Sequence, residues 1–160
     1  MALRDIWAED PDSPRVIIHP PVIYGAGFII GYALDFWWGW SFGVGEATGL
    51  GWLLVIGGLA LALWGIWHFR RAGTSVPTHR PATALVVEGP YRVTRNPVYM
   101  ALNAIYLGLC ALLDAPAALL MLLGILPLMH YGVVLREERY LEAKFGEDYR
   151  QFKQATKRYL

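Results

Sequence analysis

Residues 98–135 read VYMALNAIYLGLCALLDAPAALLMLLGILPLMHYGVVL, and not one of them is Lys or Arg. Two apolar runs, 98–113 and 117–135, flank Asp114-Ala115-Pro116, where the only formal charge of the stretch falls. A link that short joins two helices only as a tight hairpin, and both runs are long for buried strands. The second run is long enough to cross a bilayer as a helix, for which about twenty residues are needed. The sixteen residues of the first cover about 24 Å, so a full crossing there needs flanking residues.

The same pattern recurs upstream. The chain has 160 residues, of which 56% are hydrophobic and 17% charged. The apolar share exceeds the soluble norm of about 45–50%, and the length suits one domain, 1–160. All fourteen Lys and Arg lie in three blocks, Arg4 to Arg15, Arg70 to Arg95 and Arg136 to Arg158. Between the blocks, 16–69 and 96–135 contain only Asp35, Glu46 and Asp114 as formal charges. Soluble cores do not exclude cations over fifty residues; bilayer spans do. The expected fold is therefore an all-α integral membrane protein with four transmembrane helices, at 20–40, 49–69, 98–113 and 117–135. An N-terminal segment (1–19), a polar loop (70–97) and a C-terminal amphipathic helical segment (136–160) complete it.

Four spans put every basic block on one face, which the positive-inside rule makes cytoplasmic, termini included. Trp37, Trp38 and Trp40 close the first span and Trp64 and Trp67 the second, as interfacial aromatic belts do. Asp35, beside those tryptophans, reads as interfacial. The acidic, Pro-rich first twenty residues do not suggest a cleaved signal peptide. Cys110, mid-span and alone, reads as small core filler. His19, His68, His79 and His130 are scattered, and no metal site is expected. No feature calls for nucleic acid or an obligate protein partner.

Polar chemistry gathers in the loop and the tail. Pro77, Pro81, Pro90 and Pro97 stiffen the loop; ALVVEG (84–89) reads as a short extended stretch. Pro97 suits the first turn of a helix, and Asn96 before it suits an N-cap. Arg92 and Arg95 satisfy the positive-inside rule, or bind a ligand. In the tail Leu141, Phe145, Tyr149 and Phe152 form one apolar stripe, with Gly146 ending a first helix and Glu147 starting a second. The stripe suits a helix lying on the membrane surface. That reading leaves Glu137 and Glu138 unexplained, since acids at the end of a span oppose anionic headgroups. His130 lies about two turns before Glu137, on the same face of a regular helix, where it can line a shared cavity. Gly124 and Pro127 mark a kink or close helix contact.

Gly89-Pro90-Tyr91-Arg92, Arg95-Asn96-Pro97 with Tyr99, a hydrophobic hairpin, and then Glu137-Glu138 with Phe145-Gly146 and Tyr149 form an ordered set. It resembles the isoprenylcysteine carboxyl methyltransferase family, related to the membrane phospholipid methyltransferases, over about residues 48–160. The resemblance implies an S-adenosylmethionine-dependent enzyme without a Rossmann domain, releasing S-adenosylhomocysteine. It implies that Gly89, Pro90 and Tyr91 line the cofactor, that Asn96 and Tyr99 contact it, and that Glu137 and Glu138 bind its hydroxyl or amino groups. Asn96 stands where that family commonly has His, so a titrating group is absent there. Arg95 and Glu138 are the expected catalytic residues, Arg95 by gripping an anionic substrate. His130 is a further candidate for the cofactor site. The acceptor is a hydrophobic or lipidic amphiphile entering from the bilayer: an isoprenylcysteine-like carboxylate, or else a phospholipid amine or a thiol. A non-catalytic four-span protein whose loop and tail merely pack together is the competing class.

Overall fold

The computed structural model describes residues 12–16, 18–43, 48–74 and 81–159. These residues form helices α1 (Pro20–Trp38), α2 (Thr48–Arg71), α3 (Pro97–Leu112), α4 (Pro116–Met129), α5 (Leu135–Phe145) and α6 (Glu147–Ala155). A 3₁₀ turn, Gly89–Arg92, precedes α3, and a π turn, His130–Val134, joins α4 to α5 without a break. There is no strand among the described residues; ALVVEG is neither helix nor strand until the 3₁₀ turn begins at Gly89, and one isolated bridge joins Thr94 to Lys157.

Proline sets three of the helix starts. Pro20, Pro97 and Pro116 occupy first-turn positions, where a missing N–H costs no hydrogen bond. The hairpin is as tight as its sequence requires: Asp114 takes a positive φ of 49° between α3 and α4. Helices α1 and α4 run antiparallel in contact, as do α2 and α3. Both pairs cross through small residues, which let helix backbones approach closely. A Cβ on Gly31 would strike the backbone of Ala118, and one on Gly108 would lie 2.7 Å from the Gly51 carbonyl oxygen.

The acids of the cation-free stretches are tethers. Asp35, near the Trp37 end of α1, is buried against α4, and its carboxylate accepts bonds from the Ala117 and Ala118 N–H groups at 2.7 and 3.1 Å. It caps α4 from a different helix, satisfying donors that the first turn leaves orphaned. Asp114 in turn accepts from the Phe42 N–H at 2.7 Å and from the Ser41 hydroxyl. One end of α1 is thereby fastened to the hairpin turn.

Two cores result. Tyr24, Tyr106, Cys110, Leu122, Ile125 and Met129 fill the space between α1, α3 and α4. Val86, Tyr91, Tyr149 and Phe152 form a second cluster, with Phe69, Leu85, Leu141 and Phe145 packed around it. The tail stripe is therefore covered by the chain's own loop rather than by headgroups. On the outside, Ile29, Phe36, Trp37, Leu53, Leu63 and Leu123 are mostly exposed, an apolar surface far beyond what a soluble monomer carries. Two helical runs, Thr48–Arg71 and Pro116–Phe145, are long and apolar enough to cross a bilayer. Helix α3 is too short at 16 residues, and α1, with 19, is not apolar enough. The described structure thus meets the span criteria twice, where four spans were expected.

Candidate active site

The segment before α3 is built to turn a tyrosine inward. Gly89 has φ +61°, and a Cβ there would collide with the His68 ring, so both the backbone and the space call for glycine. The turn that follows is closed by the Val93 and Thr94 N–H groups donating to the Pro90 carbonyl at 3.1 and 3.2 Å. Tyr91 emerges buried, its ring edge-on to Phe69 at 5.2 Å. Burial pushes its phenol above the ordinary tyrosine value.

The tail returns to this turn. Gly146, with φ +56°, breaks α5 from α6 as its sequence suggests, and Thr156 leaves α6 extended. The Arg95 N–H then donates to the Lys157 carbonyl at 2.9 Å. The Arg158 carbonyl accepts from the Thr94 hydroxyl at 3.0 Å and from Asn96 Nδ2 at 2.9 Å. Asn96 holds the N-cap position of α3 but makes no side-chain cap bond; its amide is committed to the tail instead.

Around this junction lies a buried ionic centre. Arg95 Nη2 donates to Glu138 Oε1 at 2.8 Å, while Nη1 donates to the Lys153 and Thr156 carbonyls at 2.8 and 3.0 Å. Arg158 meets the same carboxylate in a two-pronged contact, Nε to Oε1 and Nη2 to Oε2, both 2.8 Å. Glu138 is only 6% exposed, and such a charge survives in the interior only when paired and hydrogen-bonded. The carboxylate in turn holds the Arg158 guanidinium above its ordinary value. One helical position earlier, Glu137 accepts from the Tyr99 hydroxyl at 2.6 Å and forms no ion pair among the described residues.

A cavity of about 540 Å³ opens against this centre, within the range of small-molecule sites. It lies where α1 and α2 stand apart, each packed on a different helix of the hairpin. Tyr91, Arg95, Asn96, Tyr99, Glu137 and Glu138 line its polar side. Val22, Ala62, Ile66, Val98 and Leu102 line the side toward the apolar helices, and Tyr149 and Phe152 the tail side.

Six of the nine expected site residues therefore share one wall. Gly89 and Pro90 are not on it; they stand behind Tyr91 and aim it. His130 is not on it either. Its Nδ1 lies 2.8 Å from the Tyr159 hydroxyl, and its ring is edge-on to Tyr131. The π turn explains why: starting three residues after Pro127, it swings the following residues by about a quarter turn relative to α-helical spacing. Gly124 has open space beside it, so the irregularity belongs to Pro127 and not to a close contact. Arg95 is present, but both Nη atoms serve protein partners; only its buried Nε lacks one among the described residues. Sequence reasoning missed Arg158, whose signal was a cation just past the last helix, twenty residues from a buried glutamate.

A family model described as phospholipid methyltransferase matches residues 47–148. The chain belongs to the phospholipid methyltransferase family. This is the family to which isoprenylcysteine carboxyl methyltransferases are related, so the resemblance carried by the Arg95-Asn96-Pro97 and Glu137-Glu138 elements holds. No curated protein matches the chain significantly. The phospholipid methyltransferase match spans α2 through the whole of α5 and the first two residues of α6; α1 and the residues from Tyr149 onward lie outside it. Membership makes this a chain of a membrane methyltransferase family, in keeping with its two long apolar helical runs.

Proposed function

We propose that the protein is an S-adenosylmethionine-dependent methyltransferase acting on a lipidic amphiphile. The observation that carries this reading is the convergence of Tyr91, Asn96, Tyr99, Glu137 and Glu138 on one cavity whose other lining is largely apolar. The residues suit such a cofactor. Tyr91 and Tyr149 offer flat aromatic surfaces; among the described residues Glu137 has no cationic partner and Arg95 Nε, a buried donor, has no acceptor. When bound, the cofactor supplies an electrophilic methyl group on a cationic sulfur. In-line displacement at that methyl needs alignment and exclusion of water more than acid–base machinery. The apolar walls exclude water, and the braced wall fixes geometry, with Arg95 and Arg158 holding Glu138 still.

An amine acceptor is favoured over a carboxylate by one contrast. The Arg95 fork is already occupied, whereas the Glu137 carboxylate has no cation among the described residues. An ammonium group entering the cavity would meet Glu137 Oε2, which would take its proton while Tyr99 stays bonded to Oε1, leaving the nitrogen lone pair free for the methyl group the cofactor would supply. The acceptor reaches this wall from the bilayer through the gap between α1 and α2. In this reading all four apolar helices α1 to α4 sit in the membrane, α3 extended by its flanks, with the site and both termini on the cytoplasmic face.

Titration calorimetry of detergent-purified protein with S-adenosylhomocysteine tests the core of the proposal. Saturable binding is expected, weakened at least about tenfold by Glu137→Gln. No heat from demonstrably folded protein at millimolar ligand would sink the enzyme reading.

A further inference from the structure

Pro14 and Tyr140 form a rim between two openings: the cavity on one side and a shallow recess on the other. The recess is lined by Ser13, Arg15, Arg136 and Arg139. Three guanidinium-bearing residues thus meet in one place, and no carboxylate lines it among the described residues. None of the three forms an ion pair among the described residues; Asp12, the acid next in sequence, pairs with Lys144.

Several features show that the clustering is built in. Arg136 and Arg139 are one turn apart on α5, a spacing at which like charges repel. Arg15 comes from the far N-terminal segment with φ +48°, a left-handed conformation uncommon outside glycine. Arg136 Nη1 fixes it there by donating to the Arg15 carbonyl at 2.9 Å. Ser13 is 6% exposed, and its hydroxyl has no hydrogen-bond partner among the described residues. Repelling cations held together beside an unpartnered buried donor are the make-up of an anion site. Arginine forks match phosphate oxygens in particular.

The depth selects the source of that anion. Arg136 directly follows the apolar run that ends at Leu135, and the α4 face leading to it exposes Leu120, Leu123 and Leu126. Acyl chains along that face would carry their phosphate to the level of the recess. We propose that Ser13, Arg15, Arg136 and Arg139 bind the phosphate of an anionic membrane lipid, at a site separate from the methyl-transfer cavity. A general positive-inside bias would ask only for cations on this face, neither grouped nor joined by a buried hydroxyl.

The full chain in a neutral detergent is titrated with short-chain phosphatidic acid, short-chain phosphatidylcholine and inorganic phosphate, reading the thermal midpoint by tryptophan fluorescence. Phosphatidic acid is expected to raise the midpoint saturably. Arg136→Gln with Arg139→Gln should weaken the response at least about tenfold and Ser13→Ala about threefold, while Arg150→Gln, at an exposed position of α6, leaves it unchanged. An unchanged response in the double variant overturns the site. An equal response to phosphatidylcholine overturns the requirement for an anionic lipid, and an equal response to inorganic phosphate overturns the lipid as its source. If the double variant does not fold, Arg15→Gln supplies the same comparison. S-adenosylhomocysteine binding by the double variant, expected to be unaltered, separates failure here from failure of the methyltransferase reading.

Discussion

Arg158 grips Glu138 through two parallel bonds of 2.8 Å, tying the third-last residue of the chain to the wall of the cavity. The contact closes a ring: Glu138 also meets Arg95, Arg95 bonds to Lys153 and Thr156, and the Arg158 carbonyl receives Asn96. The expected consequence is that the tail is part of the site. Arg158→Ala should cost about 1.5–3 kcal/mol, the worth of hydrogen bonds to a charged group. It should also weaken S-adenosylhomocysteine binding about tenfold, the equivalent of about 1.4 kcal/mol. Arg158→Lys, which keeps the charge but not the fork, should fall between. Thermal unfolding and calorimetry on the same samples read both effects; wild-type values in Arg158→Ala would refute the coupling.

Tyr99 and Glu137 should differ in what they contribute to methyl transfer. Glu137→Gln keeps the size and polarity of the side chain but cannot take a proton, so transfer to a lipid amine should fall about 10²–10⁴-fold. Tyr99→Phe removes only the 2.6 Å bond and should fall far less. The measurement is transfer of labelled methyl to amine- and carboxylate-headed amphiphiles; a full rate in Glu137→Gln would contradict its role as base.

The crossing points make a prediction about stability. Gly31→Val on α1 and Gly58→Val on α2 should each cost at least about 1–3 kcal/mol through overpacking, because a Cβ at either position meets neighbouring backbone. Gly25→Ala, with nothing within 4 Å, should be neutral or stabilising by about 0.5–1 kcal/mol. Detergent-solubilised thermal unfolding ranks the three, and equal behaviour would contradict the helix pairing.

Asp35 gives an independent check on that pairing. Asp35→Ala leaves the Ala117 and Ala118 donors without their cap and should destabilise by about 0.5–2 kcal/mol. Asp35→Asn, which retains an acceptor, should lose less. Were Asp35 an interfacial surface acid, both substitutions would be silent in the same unfolding assay.

The apolar hairpin, the break at Gly146 and the grouping of Arg95, Asn96, Tyr99, Glu137 and Glu138 were legible in the sequence. Local rules govern them: hydrophobic runs, proline at helix starts, and an ordered motif. The partners of Asp35, Asn96 and His130 were not legible, for one reason. Each side chain is set by a partner or irregularity that spacing does not display: Ala117 and Ala118 across a helix pair, the Arg158 carbonyl, and an extra residue per turn in the π turn. The tail stripe was recognised as a buried face but given the wrong cover, because periodicity reports that a face is apolar and not what lies on it.

By itself, then, the sequence determined that this chain is helical, that its cations fall in three blocks between long apolar stretches and that a methyltransferase motif stands among them. Composition and short-range backbone preferences decide such things. Only the tertiary structure decided which acids meet which arginines. Glu138 acquires Arg95 from 43 positions before it and Arg158 from 20 positions after it. Pairings of that kind follow from how helices cross and where the tail returns. The approach of α3 to α5 gives Glu137 a tyrosine and, among the described residues, no cation, the asymmetry on which the proposed chemistry depends.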